Sequence, residues 1–142
     1  MFGTKKGHKP ISTIDSLIGS ATQIKGDVEF SGGLRVDGHI RGNVLAAKGE
    51  ASTLVISESA KIEGEIHATH VVVNGTIFGP VDVSEFLELQ PKARIVGDVR
   101  YKTIEIHLGA TVDGKLEHID SEAKAPIRLA TNNAAAKQAN GS

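Results

Sequence analysis

A repeat of short apolar pairs is the feature that most restricts what this chain can fold into. Each pair has two apolar residues separated by one residue, and successive pairs follow at steps of 20, 17, 16 and 17 residues: Leu34/Val36, Leu54/Ile56, Val71/Val73, Leu87/Leu89 and Ile104/Ile106. An earlier start at Leu17 adds a further step of 17. Between the pairs, a phrase of the form Ile-x-Gly-x-Val recurs six times with small variations. Such self-similarity indicates a repeat protein.

Apolar and polar residues alternate within each repeat. In the third copy, Ala60, Ile62 and Ile66 share one face of an extended chain, whereas Lys61 and Glu63 lie on the other. This period of two is typical of strands with one buried face and argues against an amphipathic helix. A unit of about 17 residues is long enough for three short strands, and such coils stack at about 4.8 Å. The sequence therefore predicts an all-β solenoid, a parallel β-helix of about six short coils.

The glycine of each phrase is expected at a corner of the coil, because a residue without Cβ allows a bend in a narrow interior. The longest step contains residues 46–52, which we interpret as a surface loop. The chain has no Trp, one Tyr and four Phe among 142 residues, so its core must consist of Ile, Val, Leu and Ala. We expect a flexible basic N-terminal arm (1–16), a β-helix polymerisation domain (17–119) and a disordered polar C-terminal tail (120–142).

Several function classes lack support in the sequence. Without cysteine there is no disulfide framework or thiolate metal site, and a net charge of −1 provides no basic field for nucleic acid. No apolar run approaches the ~20 residues of a membrane span. Phosphate loops of Walker type and hydrolase motifs are missing from the sequence. His67 and His70 are three residues apart, which predicts opposite faces of a strand and no shared metal. We therefore expect no catalysis, no cofactor and no metal.

Two alternatives stay open. A β-solenoid acyltransferase requires a strict six-residue period, which the uneven steps of this repeat do not provide. A monomeric solenoid that binds ice or carbohydrate requires capped ends, and ice binding requires outward ladders of Thr. The outward residues here are mostly charged, and we interpret acids such as Asp27 and Asp98 as part of an alternating-sign surface that keeps strands soluble.

The ends of the repeat carry no recognisable capping helix. An open coil exposes a cross-section of core and unpaired strand edges, which act as a template for another chain. End-to-end stacking of subunits buries both, unless the tail folds back over one end. This hypothesis assigns the polymerisation interface to apolar residues of the first and last coils: Ile24, Val28, Phe30, Ile104, Ile106, Leu108, Val112 and Leu116.

The repeats resemble those of the bactofilins, a bacterial family of polymer-forming cytoskeletal proteins. The resemblance spans residues 17–119 and rests on six phrases in register, with its clearest matches at 34–44, 59–66 and 109–114. It implies a right-handed β-helix and nucleotide-independent filaments in which subunits meet head to head and tail to tail. It also implies peripheral attachment to the cytoplasmic membrane and a role in cell shape as a scaffold for cell-wall enzymes.

The N-terminal arm has two interpretations. Phe2, Lys5, Lys6 and Lys9 form either an ordinary solvated start or a membrane-binding foot, and the resemblance favours the foot. Each Lys contributes ~1 kcal/mol near an anionic leaflet and the Phe about 2 kcal/mol, so a filament binds through many weak arms. The expected partners are further copies of the chain, cytoplasmic membrane lipids, and cell-wall synthesis or remodelling proteins. The expected location is cytoplasmic, at the inner face of the cell membrane. We expect no nucleic acid among the partners.

Overall fold

The computed structural model describes residues 14–120. Most of the expected arm and tail, including Phe2, Lys5, Lys6 and Lys9, lies outside these residues. Within 14–120 every regular element is a strand, and no helix there could cross a membrane. The strands are β1 (Ser16–Ile18), β2 (Gln23–Lys25), β3 (Val28–Phe30), β4 (Gly32–Val36), β5 (His39–Arg41), β6 (Val44–Ala46), β7 (Ser52–Ile56), β8 (Lys61–Glu63), β9 (Ile66–Val73), β10 (Thr76–Phe78), β11 (Val81–Leu89), β12 (Arg94–Val96), β13 (Val99–Ile106), β14 (Thr111–Asp113) and β15 (Leu116–His118).

The strands wind into a three-sided solenoid in which all pairing is parallel. Face 1 stacks β1, β4, β7 and the C-terminal halves of β9, β11 and β13. Face 2 is the six-stranded sheet of β2, β5, β8, β10, β12 and β14. Face 3 stacks β3, β6, the N-terminal halves of β9, β11 and β13, and then β15. The predicted all-β solenoid of about six coils is confirmed, and the right hand implied by the resemblance stays a prediction.

The core is a set of stacked aliphatic ladders. On face 2 the middle residue of each strand points inward, and the four central members are fully buried: Ile40, Ile62, Ile77 and Ile95. The predicted alternation is confirmed, because Ala60, Ile62 and Ile66 are buried whereas Lys61 is exposed. Ile, Leu, Val and Ala supply every buried hydrophobic side chain within residues 14–120.

Glycines form one corner of the coil, between faces 2 and 3. A Cβ on Gly64 would overlap the backbone carbonyl of Gly42 in the coil before, and a Cβ on Gly97 would overlap that of Gly79. Gly97 also has a φ of +149°, which L side chains rarely adopt. Successive backbones therefore approach closely at this corner, and the predicted role of the glycine is confirmed.

The residue after three of these glycines joins neighbouring coils at the same corner. The Asp27 carboxylate accepts a hydrogen bond from the Asn43 N–H at 2.9 Å, and the Asn43 side-chain oxygen accepts one from the Glu65 N–H at 2.9 Å. The Asp98 carboxylate likewise accepts from the Lys115 N–H at 3.0 Å. Asp27 and Asp98 thus do more than carry surface charge, which is the only role that the alternating pattern suggested.

The predicted start of the repeat at Leu17 is wrong by one residue. Ser16, not Leu17, lies in register with Leu34, and Ile18 lies in register with Val36, so the first pair is Ser16/Ile18 and begins one residue before the expected position. Leu17 pairs with Arg35 on the outward side and is 60% exposed. Because two apolar residues are adjacent here, the pattern alone did not distinguish which one points inward.

The longest step does contain a surface loop, as predicted. It runs between β6 and β7, and residues 47–51 are exposed. The buried Ser52 anchors its far end: its N–H donates to the Thr69 hydroxyl at 2.6 Å, and that hydroxyl lies 2.6 Å from the Ser52 carbonyl oxygen. The loop therefore leaves the stacking of the coils undisturbed.

The prediction that His67 and His70 lie on opposite faces of one strand is wrong. His67 lies on face 3 in register with Asp82, and His70 lies on face 1 in register with Phe86. Both residues are partly exposed, whereas Ala68 and Val71 are buried, because β9 turns a corner of the solenoid near Thr69. The turn interrupts the alternation, so the two histidines point outward from different faces.

Candidate polymerisation interface at the end coils

Both ends of the described solenoid are open coils. At the N-terminal end, β1, β2 and β3 each pair on one side only, with β4, β5 and β6. At the C-terminal end, the second half of β13 pairs only with β11. Likewise, β14 pairs only with β12, and β15 pairs only with β13. No other element within residues 14–120 pairs with the outer edges of these strands. Each end therefore presents unpaired backbone donors and acceptors together with a section of the core.

The C-terminal end exposes ladder positions that are buried in every complete coil. Ile106 continues the ladder of Leu89, yet Leu89 is fully buried and Ile106 is 49% exposed. Ile104 and Val112 continue the ladders of Leu87 and Ile95 and are partly buried. The residues are of the same chemical type. The difference in exposure therefore arises because no further coil stacks on this end.

The N-terminal end has the same character. Ile24 and Val28 lie in register with the buried Ile40 and Val44. Phe30 lies in register with Ala46 and is partly buried against the core. The interface assigned from the sequence omitted two further residues at these ends, Ile18 and Ala110, which also pack partly buried against the core. Their signal was present in the repeat, since each occupies a ladder position of its coil.

Seven of the eight residues assigned to the interface from the sequence thus lie at ladder positions of the two end coils. Leu108 does not. It lies in the turn between β13 and β14, beside the corner residue Pro91 of the previous coil, and is 96% exposed. Pro91 is itself exposed although a further coil follows it, so stacking of another coil would not by itself cover Leu108.

Covering the open ladders is energetically favourable. Complete burial of an Ile, Leu or Val side chain contributes about 1.5–3 kcal/mol, so covering the exposed half of Ile106 or Leu116 contributes about 1 kcal/mol each. Pairing of the free edges would satisfy backbone groups that now depend on water. The two terms favour the same event, which is the addition of another coil.

A group of polar side chains lies on face 1 next to the C-terminal end. Glu88 and Glu105 are stacked in register, and the His107 Nε2 atom lies 3.0 Å from one carboxylate and 3.1 Å from the other. Their ligand atoms lie within 4.8 Å of one another, a spacing that a metal ion could also bridge. A hydrogen-bonding histidine between the two stacked carboxylates accounts for the arrangement, since like charges in register repel each other.

The outer face of the middle coils carries charge pairs. The Glu63 carboxylate lies 2.6 Å from His39 Nε2, and this hydrogen bond is the main reason that the pKa of Glu63 lies below its usual value. Nearby Lys61 and Arg41 lower the same pKa further. These side chains are exposed on face 2 and stabilise the charged form of Glu63 without forming an enclosed site.

Comparison with known proteins assigns this solenoid to a protein family. The sequence model of the bactofilin family, described as polymer-forming cytoskeletal, matches residues 16–117. The chain belongs to the bactofilin family. The matched range begins in β1 and ends in β15, so all six coils and both open ends belong to the family domain.

Two curated bactofilins from Myxococcus xanthus (strain DK1622) are similar to the chain. It is 26% identical over 122 residues to "Bactofilin BacP", an alignment that covers 85% of this chain and 49% of that protein. It is 26% identical over 103 residues to "Bactofilin BacO", covering 72% of this chain and 79% of that one. The chain therefore spans about half the length of BacP. No solved structure gives a significant match.

Proposed function

We propose that this protein polymerises end to end, without nucleotide, into filaments that form a scaffold at the inner face of the cell membrane. The observation that carries the proposal is the exposure of ladder residues at both ends, above all the half-exposed Ile106 beside the fully buried Leu89. A second subunit that continues the ladders would cover these side chains and pair the free strand edges. The polymer-forming character of the family supports this assembly.

The proposed junction uses Ile24, Val28 and Phe30 at one end and Ile104, Ile106, Val112 and Leu116 at the other. Leu108 belongs to it only if neighbouring subunits also meet around the corner. Head-to-head and tail-to-tail contacts, which the resemblance implies, would bring like ends together. In that arrangement, each end coil must be complementary to a copy of itself.

Attachment to the membrane is proposed to occur through the N-terminal arm. Its Phe2, Lys5, Lys6 and Lys9 combine one aromatic with three cations and no acid. One arm binds an anionic leaflet weakly, but a filament displays many arms and binds by avidity. The filament would then support cell shape and position cell-wall synthesis or remodelling proteins.

A structural role accounts for the site better than catalysis does. The acyltransferase alternative requires six-residue regularity, whereas successive coils on face 2 are unevenly spaced: the step from His39 to Lys61 is much longer than the step from Lys61 to Thr76. Membership of a cytoskeletal family supports the same choice.

Sedimentation of the purified full chain tests the proposal. After removal of nucleotide with apyrase, the protein should pellet above a critical concentration, and added ATP or GTP should leave that concentration unchanged. Protein that stays in the supernatant as a monomer or small closed oligomer at all concentrations would contradict end-to-end assembly.

A further inference from the structure

The described part of the chain is acidic, and its cations are unevenly distributed. Residues 14–120 contain ten Lys and Arg residues against sixteen Asp and Glu residues. The strands of face 2 hold four of these cations and only two of the acids, so face 2 is basic on an otherwise acidic body: Lys25, Arg41, Lys61 and Arg94 against Glu63 and Asp113. An anionic surface would therefore attract face 2 and repel the remainder of the solenoid.

Three of the four cations of face 2 form no ion pair. Within residues 14–120, Lys25, Arg41 and Arg94 have no acid within ion-pair distance, whereas Lys61 is paired with Glu63 at 3.8 Å. Four of the other six cations are paired with acids: Arg35 with Asp37, Lys92 with Glu58, Arg100 with Asp82 and Glu117, and Lys102 with Glu85. Positive charge on face 2 is therefore available to an external anion, whereas most positive charge elsewhere is already neutralised.

An apolar group lies among these cations. Phe78, in the middle of face 2, is 37% exposed, and Val96 follows it in register on the next coil. The Lys61 ammonium lies 5.4 Å from the centre of the Phe78 ring. Phe78 stacks in register between Glu63 and Val96, so one acid and one cation, Lys61, lie next to the ring. An exposed aromatic on a sheet face with a net positive charge matches the boundary between headgroups and acyl chains, where aromatic rings and basic side chains are both favoured.

We propose that face 2 lies against an anionic lipid surface, so that filaments bind the membrane with a fixed side of the solenoid. The inference rests on the proposed membrane attachment and deepens it. The arms hold the filament near the leaflet, and Arg41, Arg94 and Phe78 determine which face meets the lipid. Because the contact repeats in every subunit, weak individual contacts add along the filament.

A single-tryptophan experiment tests the orientation directly, because the chain contains no Trp. Full-length Phe78→Trp and the control Leu45→Trp, a partly exposed position on face 3, are assembled and mixed with vesicles of phosphatidylglycerol and phosphatidylcholine. Binding should shift the emission of the Phe78→Trp protein to shorter wavelength, and brominated acyl chains should quench it. The Leu45→Trp protein should show neither effect.

Charge reversal provides the second measurement. Arg41→Glu/Arg94→Glu should weaken binding to phosphatidylglycerol vesicles by at least about tenfold. The control Lys48→Glu/Lys102→Glu, which makes the same change in net charge away from face 2, should have a much smaller effect. Both proteins should form filaments of normal length by negative-stain microscopy, since none of the four residues lies at an end ladder.

The outcomes separate this inference from the proposed function. If wild-type filaments bind vesicles but both charge variants bind equally, or if Leu45→Trp is quenched instead, face 2 is not the membrane side and only this inference is overturned. If Arg41→Glu/Arg94→Glu keeps vesicle binding but loses filament bundling, face 2 contacts a second copy, which also overturns it. Failure of wild-type filaments to bind anionic vesicles would overturn both this inference and the proposed membrane attachment.

Discussion

Leu116 lies beside Val99 on the neighbouring strand of face 3, and the two residues occupy the same inward position of successive coils. Val99 is fully buried, whereas Leu116 is 45% exposed. The residues are chemically similar, so the contrast reflects only the absence of a further coil above Leu116. This end resembles the middle of a longer solenoid that has been interrupted, which is the property that an end-to-end polymer needs.

A charge inside an end ladder should stop polymerisation without unfolding the chain. Val112→Arg, or Val28→Arg at the other end, places a cation where the next subunit would stack, and a buried unpaired charge is strongly unfavourable. We expect soluble short oligomers by analytical ultracentrifugation, with the β signal in circular dichroism retained. The control Val55→Arg, an outward position of a middle coil on face 1, should still form filaments. Normal filaments from both end variants would refute apolar contacts at these coils.

A methyl group at the glycine corner should destabilise the solenoid. Gly64→Ala directs its Cβ at the Gly42 carbonyl of the previous coil, so the backbone must move apart. Overpacking of this kind costs about 1–3 kcal/mol or more. Urea unfolding in the Val112→Arg background, where assembly does not contribute to stability, should reveal the loss. The control is Gly19→Ala, because no atom lies within 4 Å of the new Cβ. Its urea midpoint should be close to that of the parent protein. Equal midpoints for the two substitutions would contradict close stacking at the corner.

Loss of the corner carboxylate should loosen the last coil. Asp98→Ala removes the acceptor of the Lys115 N–H, which immediately precedes β15, at a cost of about 1 kcal/mol. We expect faster hydrogen exchange in β15 and a higher critical concentration for assembly. Asp98→Asn should restore both, because Asn43 makes the same bond to Glu65 at an earlier corner. If Asn behaves like Ala at this position, surface charge and not the hydrogen bond is the important property.

Substitutions in the N-terminal arm should release filaments from lipid without affecting their formation. Lys5→Glu/Lys6→Glu reverses two cations, each worth ~1 kcal/mol near an anionic leaflet, and Phe2→Ala removes the apolar anchor. Both should reduce co-sedimentation with phosphatidylglycerol liposomes several-fold, and the effect of the charge reversal should become smaller as salt screens the electrostatic attraction. Lys124→Glu/Lys137→Glu, with an equal change in net charge, is the control. Unchanged co-sedimentation of the arm variants would rule out the foot.

The period-two pattern was sufficient to predict the ladders and the glycine corner. Ile62 and Ile77 repeat with the same parity in every coil, and only a corner explains a glycine such as Gly64 on the inward side. The pattern failed where the chain turns. His70 points outward because β9 bends near Thr69, and a strict alternation cannot represent that bend.

Contacts between coils were the other feature that could not be predicted from the sequence. The choice between Leu17 and Ile18 depends on pairing with β4, since both residues are apolar. The role of Asp98 depends on a backbone N–H that is 17 residues away in the chain. Leu108 is apolar, as expected of an interface residue, but it lies in a corner turn and therefore outside the ladders. Each of these cases requires the register of stacked strands, which alternation within one coil does not contain.

Negative-stain electron microscopy of the untagged full chain, purified and assembled without nucleotide, tests the central claim most directly. Open ladders at both ends predict thin unbranched filaments whose width corresponds to one solenoid and which disappear in Val112→Arg. Discrete particles of uniform size across salt and protein concentration would mean that the ends are covered, and would contradict polymerisation through the end coils.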